Sequence, residues 1–181
     1  MHPSEPAQKS ILKAPSKSPP RVAPGIRALF AGSFDPMTLG HLDIIKRAAR
    51  IFDHVLVGIG VSPGKTPFFT LEERVALIRE SAADIPNMEI IHFEGLTVNC
   101  ARHHSVNVLI RGVRSVQDYS YELQMAQMNQ ALNPDLETVI FPTLGAMSHI
   151  SSSMARELAM HRGDLSLLVP APVVRAFAAK A

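Results

Sequence analysis

The chain has 181 residues, 46% of them hydrophobic, and a formal net charge of +2. This length and apolar content predict one globular domain with a substantial core. Residues 1–26 carry a net charge of +3, so the remainder carries −1. A folded part without net positive charge disfavours nucleic acid as a partner.

Residues 1–26 are rich in proline and lysine and show almost no apolar periodicity. Such a segment cannot bury enough surface to order itself, so we predict a disordered tail followed by one domain over residues 27–181. The chain has no run of 18 apolar residues, which predicts that it does not span a membrane. The single Cys100 excludes an intrachain disulfide and favours a reducing, cytoplasmic location.

From residue 27 onwards, short apolar runs alternate with segments of helical periodicity. Five strands are predicted, at residues 28–31, 54–61, 88–93, 106–110 and 137–141. Helices are predicted at residues 42–52, 71–83, 96–104, 118–132, 151–160 and 170–179. Thr70 and Glu73 form a capping-box pattern at the start of the second helix. Regular alternation predicts an α/β fold, with a five-stranded parallel sheet and helices on both faces.

The segment from Ala28 to Arg47 joins the first predicted strand to the first predicted helix. Its turn contains Gly32 and Gly40, which allow another group to approach the backbone closely. A helix start at the carboxyl edge of a parallel sheet presents unpaired N–H groups to a crevice, which favours an anion. His41, in the first turn of the helix, can donate a ring N–H to a phosphate oxygen. The alternative is a turn whose histidine only faces solvent.

Short segments that contain polar side chains follow four of the five predicted strands, and the carboxyl ends of parallel strands lie at one edge of the sheet. They are Ser33, Phe34 and Asp35 after the first strand, Lys65 after the second, Arg111, Gly112 and Arg114 after the fourth, and Ser151–Ser153 after the fifth. Gly112 is expected to end the fourth strand. Three cations, a histidine and a serine-rich helix start predict a site for several phosphates. Taken singly, each of these residues also fits a solvated charge or a helix cap.

Four blocks of the sequence together resemble bacterial phosphopantetheine adenylyltransferases, and the similarity extends over residues 27–181. The blocks read GSFDPMTLGH, SPGKTPFFTLEERVALI, LIRGVRSVQDYSYE and HISSSMAREL. The resemblance implies a Rossmann-like nucleotidyltransferase of coenzyme A biosynthesis. Its reaction would transfer AMP from ATP to 4′-phosphopantetheine, giving dephospho-coenzyme A and pyrophosphate without a covalent intermediate. It further implies Mg²⁺ carried with ATP, no metal site built from protein ligands, and a homohexamer.

The same resemblance assigns site residues, with His41 as the catalytic contact to the α-phosphate. The implied ATP contacts are Ser33, Phe34, His41, Gly112, Val113, Arg114, Glu122, Met147, Ser148, His149, Ile150, Ser151, Ser152 and Ser153. The implied acceptor contacts are Ser33, Lys65, Thr97 and Arg111. Thr97 stands where the family usually has Leu or Met, and Met147 stands where an aromatic residue is common.

The implied chemistry needs no general base, because the nucleophile is a phosphate oxygen already ionised at neutral pH. Two other functions remain open: a sister nucleotidyltransferase acting on nicotinate mononucleotide or glycerol phosphate, and a non-catalytic nucleotide-binding module. One stripe of the 118–132 helix also has two interpretations, as domain core or as a contact with a neighbouring subunit. It consists of Tyr121, Met125, Met128 and Leu132.

Overall fold

The computed structural model describes residues 25–64, 66–143 and 145–180. Lys65 and nearly all of the predicted tail, 1–26, therefore lie outside the described residues. The strands are β1 (Arg27–Gly32), β2 (His54–Val61), β3 (Met88–Glu94), β4 (Val108–Val113) and β5 (Glu137–Pro142). The helices are α1 (Leu39–Ala49), α2 (Leu71–Ser81), α3 (Thr97–His103), α4 (Val116–Leu132), α5 (Ser152–Met160) and α6 (Ala171–Ala178), with a 3₁₀ turn at Gly145–Met147. Each described helix is too short or too polar to cross a bilayer.

The five strands form one parallel sheet in the order β3-β2-β1-β4-β5. The order reverses beside β1, where Ala28 pairs with Val55 on one side and with Val108 on the other. In such a sheet the connections leave β1 and β4 on opposite faces, so a crevice opens beyond their carboxyl ends. The predicted α/β class is confirmed, and the topology places a candidate site between β1 and β4.

Strand β1 is buried on both faces, which explains why its sequence is a continuous apolar run. Ala28 and Phe30 belong to the larger core, with Ile45 of α1. Leu29 belongs to the second core on the opposite face, with Ala101 of α3. Because β1 is packed on both faces, its position along the strand axis is fixed, and so is the position of the turn that follows it.

Strand β4 begins and ends later than the sequence predicted, at Val108–Val113 rather than 106–110. Arg111 and Gly112 are therefore the last part of the strand, and the expectation that Gly112 ends it is wrong. A Cβ at Gly112 would come within 2.3 Å of Cδ1 of Ile44 in α1. Close packing between α1 and β4 thus explains the glycine. In the sequence alone, a glycine at such a packing contact cannot be distinguished from a glycine that ends a strand.

Helix α4 packs little of its surface into the domain. Asn129 is the one buried residue of this helix, while Tyr121 is 62% exposed and Met128 57% exposed. The interpretation of the Tyr121, Met125, Met128 and Leu132 stripe as domain core is therefore wrong. The helix also begins at Val116, two residues earlier than predicted, because the Ser115 side chain accepts a hydrogen bond from the Asp118 N–H and caps it.

Candidate functional site

A cavity of about 310 Å³ opens at the carboxyl ends of β1 and β4, with walls from α1, α4 and the segment before α5. This volume is at the lower end of the range for small-molecule sites. Most of the residues selected from the sequence line it: His41, Arg111, Gly112, Arg114, Glu122, Met147, Ile150, Ser151 and Ser152. The structure therefore brings together residues from three of the four sequence blocks that carry the resemblance.

Other selected residues lie elsewhere. Ser33 lines a second cavity of about 660 Å³, which is also lined by Thr66 in the loop after β2 and by Arg156 of α5. Phe34 is buried beneath the turn. The residues that line neither cavity are Phe34, Thr97, Val113, Ser148, His149 and Ser153. Lys65 lies outside the described residues, and its predicted approach to Arg111 stays a prediction.

The imidazole of His41 is fixed by a reciprocal capping box at the start of α1. The Thr38 side chain accepts from the His41 N–H at 3.3 Å, and His41 Nδ1 accepts from the Thr38 N–H at 3.0 Å. Because Nδ1 accepts a hydrogen bond, we assign the ring proton to Nε2. Sequence analysis missed this role of Thr38, since the usual capping box has Glu or Gln where this chain has histidine.

The surroundings of His41 favour its neutral form. The Phe34 ring packs edge-on against the imidazole, with 5.1 Å between ring centroids. The pKa of His41 is lowered from its ordinary 6.5 to about 4, mainly by burial and to a smaller extent by the positive charge of Arg114. At neutral pH the residue is thus a neutral Nε2–H donor held in one orientation, suited to a phosphate oxygen.

A titration of His41 followed by the NMR signal of its Cε1–H should give a midpoint near pH 4, not near 6.5. Arg114→Gln should raise this midpoint but leave it below 6.5, because burial is the larger cause. The lowered pKa also means that the stability His41 contributes is present above pH 6.5 and falls as the pH drops towards 4. A midpoint near 6.5 in the wild-type protein would contradict the neutral-donor assignment.

Arg111 and Arg114 enter the cavity already paired with carboxylates of α4. Arg111 Nε lies 3.2 Å from Glu122 Oε2, and its Nη1 donates to the Ala31 carbonyl at 3.0 Å. Arg114 Nε donates to Asp118 Oδ2 at 2.9 Å, which lowers the pKa of that carboxyl. Both guanidinium groups are thereby oriented before a ligand arrives. Sequence analysis missed Asp118, although its position four residues after Arg114 is a recognisable signal for an ion pair.

The serine-rich turn both caps α5 and fastens it to the β1–α1 loop. Ser151 Oγ accepts from the Met154 N–H at 3.1 Å, so the helix-cap interpretation of this serine is confirmed. Ser152 Oγ donates to the Pro36 carbonyl at 2.8 Å. Arg114 Nη1 reaches the Ile150 carbonyl at 3.2 Å from the other side. The turn is consequently held by Arg114, just after β4, and by the β1–α1 loop, and its cap residues line the cavity.

Asp35 has a structural role within the described part of the chain. Its carboxylate is buried and accepts from the N–H groups of Phe68 and Phe69, at 2.9 and 2.8 Å. Arg156 of α5 donates to the Asp35 carbonyl and lies 3.8 Å from the carboxylate. Asp35 therefore ties the β1–α1 loop to the segment before α2.

Gly40→Ala should weaken ligand binding without lowering the stability of the fold. Gly40 lines the cavity, and a Cβ there would meet only Thr38 Oγ1, at an ordinary 3.7 Å. Because alanine favours a helix over glycine by about 1 kcal/mol, the variant should melt at the same temperature or a few degrees higher. The added methyl occupies ligand space, so nucleotide affinity measured by calorimetry should fall. Unchanged affinity would remove Gly40 from the ligand contact surface.

A parallel sheet with a cationic cavity and a helix start at its switch point defines a nucleotide-binding α/β domain. The family model described as cytidylyltransferase-like matches residues 29–158, more than half of the chain. The protein belongs to this cytidylyltransferase-like family of nucleotidyltransferases.

Comparison with solved structures gives, among others, two matches. One is a protein of Vibrio parahaemolyticus assigned as a nicotinate-nucleotide adenylyltransferase, with a TM-score of 0.61 and 15% identity, covering 82% of this chain and 89% of its own. The other is the lipopolysaccharide core biosynthesis protein of Thermoplasma volcanium, with a TM-score of 0.49 and 20% identity, covering 67% of this chain and 98% of its own. At 15% identity, the likeness to the Vibrio parahaemolyticus protein concerns the fold alone.

Proposed function

We propose that the protein is an adenylyltransferase that transfers AMP from ATP to 4′-phosphopantetheine, giving dephospho-coenzyme A and pyrophosphate. The observation that carries the proposal is the meeting of His41, Arg111 and the Ser151–Ser152 turn in one cavity at the switch point. These residues come from three of the four sequence blocks that resemble phosphopantetheine adenylyltransferases, and the family membership supplies the reaction class.

In this reaction an oxygen of the acceptor phosphate attacks the α-phosphorus of ATP, and the bond from that phosphorus to the leaving pyrophosphate breaks. His41 donates Nε2–H to an oxygen of the α-phosphate, where negative charge increases in the transition state. Arg114 and the Ser151–Ser152 turn bind the departing phosphates. Arg111, together with Lys65, holds the acceptor phosphate and reduces its repulsion from ATP. No proton needs to be removed from the nucleophile.

The remaining assignments follow the sequence resemblance. Those to ATP are Ser33, Phe34, Gly112, Val113, Glu122, Met147, Ser148, His149, Ile150 and Ser153. Ser33 is also assigned to the acceptor, and it lines the second cavity rather than the cavity of His41 and Arg111. Thr97, the first residue of α3, is assigned to the acceptor by resemblance alone.

Magnesium enters the proposal with ATP. Within residues 25–64, 66–143 and 145–180, no three His, Cys, Asp or Glu side chains are grouped to hold a metal. The cavity carboxylates of Asp118 and Glu122 each face an arginine. We therefore assign the ion to the triphosphate oxygens, which suits its preference for phosphate and water ligands. Bound there, it would reduce the charge on the triphosphate.

We also propose a cytoplasmic homo-oligomer, with the hexamer of the resembling family as the expected form. The support on this chain is the exposed stripe of α4, where Tyr121, Met128 and Leu132 are each more than 40% exposed. Large apolar side chains grouped on one helix face are typical of subunit contacts. Light scattering at micromolar concentration should report a particle larger than a monomer, and a monomer would contradict this assignment.

The deciding assay follows pyrophosphate release from ATP and magnesium with one acceptor at a time. Release with 4′-phosphopantetheine, and not with nicotinate mononucleotide or glycerol phosphate, supports the proposal. Release only with one of the latter replaces it with the sister activity. ATP binding by calorimetry without release for any acceptor indicates a non-catalytic module.

A further inference from the structure

Side chains of α2 and α5 donate hydrogen bonds to carbonyl groups of the β1–α1 loop. Arg74 Nη1 donates to the Ser33 carbonyl at 2.9 Å, Arg156 donates to the Asp35 carbonyl, and Ser152 Oγ donates to the Pro36 carbonyl at 2.8 Å. Three of the four carbonyls in residues 33–36 therefore have a side-chain donor. The loop conformation is consequently set by residues outside it.

Arg74 is the unusual member of this set. It is only 4% exposed, yet within the described part of the chain no carboxylate lies in ion-pair distance of its guanidinium. Its guanidinium donates hydrogen bonds to the carbonyls of Ser33 and Thr70. Burying a cation costs free energy unless hydrogen bonds within the protein replace those it makes with water. For Arg74 the replacement bonds go to backbone carbonyls, and one of them fixes the backbone at Ser33.

The contact has a geometric consequence for the next residue. In a trans peptide, the carbonyl of one residue and the N–H of the following one point in opposite directions. Since the Ser33 carbonyl points at Arg74, the Phe34 N–H points away from α2. Phe34 has φ of 46°, a left-handed conformation that a bulky residue rarely adopts without external support. Among the residues described, nothing accepts a hydrogen bond from the Phe34 N–H.

We propose that Arg74 is a positioning residue that holds the Ser33–Phe34 peptide in this orientation and so keeps the Phe34 ring against the imidazole of His41. The inference rests on the proposed adenylyl transfer for the role of His41. Arg74 lines the second cavity with Ser33 and does not line the cavity of His41. It acts through the peptide, and through the Phe34 ring that packs on His41.

The test compares Arg74→Met, which removes charge and donors at similar length, with Arg74→Lys, which keeps one donor. Arg79→Met, at an exposed position of the same helix, is the matched control. Arg74→Met should lower kcat by about tenfold to a hundredfold, because a small misplacement of a donor costs that much, and change the KM for ATP less than threefold. Arg74→Lys should recover most of the loss, and Arg79→Met should match wild type.

A second readout needs no substrate. The carbon chemical shifts of selectively labelled Phe34 report its left-handed φ in the ligand-free protein, and Arg74→Met should abolish that signature. Loss of kcat with an unchanged Phe34 signature would overturn the proposal, as would wild-type kcat with a lost signature. If Arg74→Met does not fold, Arg74→Lys decides, because it should retain both the signature and kcat. If the wild-type protein transfers AMP to no acceptor, the proposed function fails, and the Phe34 signature still decides the role of Arg74.

Discussion

His41→Ala should lower kcat for adenylyl transfer by about 10²–10³, the usual effect of removing one preorganised donor from a developing anion. The wild-type imidazole is neutral and held by the Thr38 N–H, so its Nε2–H is oriented before substrate binds. That donor matters most when charge builds on the α-phosphate, so the affinity for ATP should change little. Steady-state kinetics and calorimetry with ATP measure the two quantities.

The control for His41 is His92→Ala, an exposed histidine of β3 that lines neither cavity. It should keep wild-type kcat and ATP affinity. Loss of the capping box in His41→Ala should cost about 1 kcal/mol of folding stability, or a few degrees in Tm, so assays well below the melting temperature are needed. A wild-type rate in His41→Ala would remove this residue from the mechanism.

Arg111→Gln should raise the KM for the acceptor by about tenfold to a hundredfold, since hydrogen bonds to charged groups contribute about 1.5–3 kcal/mol. The substitution also leaves Glu122 without its cation, at a distance of 3.2 Å in the wild type. The remaining carboxylate would then repel an incoming phosphate. The affinity for acceptor should therefore fall by more than the loss of one hydrogen bond.

The double variant Arg111→Gln with Glu122→Gln separates these two effects. Removing the unpaired carboxylate should recover part of the acceptor affinity, and a double-mutant cycle measures the coupling. Arg79→Gln, on the exposed face of α2, is the control for a general change in charge. Unchanged acceptor KM in Arg111→Gln would show that the acceptor phosphate lies elsewhere, for example in the second cavity with Ser33.

Local sequence signals predicted the parts of the fold that depend on local physics. The limits of β2 match the prediction because a strand buried on both faces is an uninterrupted apolar run. The start of α2 matches because Thr70 and Glu73 form a complete capping box. By contrast, the sequence predicts a strand end at Gly112, because the Ile44 side chain that packs against this glycine is distant in sequence.

The candidate site was predictable to the extent that its residues follow strands. Knowing that parallel strands end at one edge was enough to group His41 with Arg111 and Arg114. The acidic partner of Arg111 could not be predicted in the same way, because its pairing with Glu122 depends on how α4 lies against β4. The loop contact of Arg74 likewise joins residues 41 positions apart, which no short-range pattern records.

The reversal of strand order between β1 and β4 also affects when the site forms during folding. Ala28 pairs with Val108, so β1, which leads into the helix of His41, joins β4, which carries Arg111, across a sequence separation of 80 residues. Contacts of such large sequence separation form slowly, because the loop must be closed before the pairing stabilises it. We therefore expect the cavity to form late in folding. Nucleotide binding can be followed in time after dilution from denaturant. Its onset would report when the whole sheet has formed.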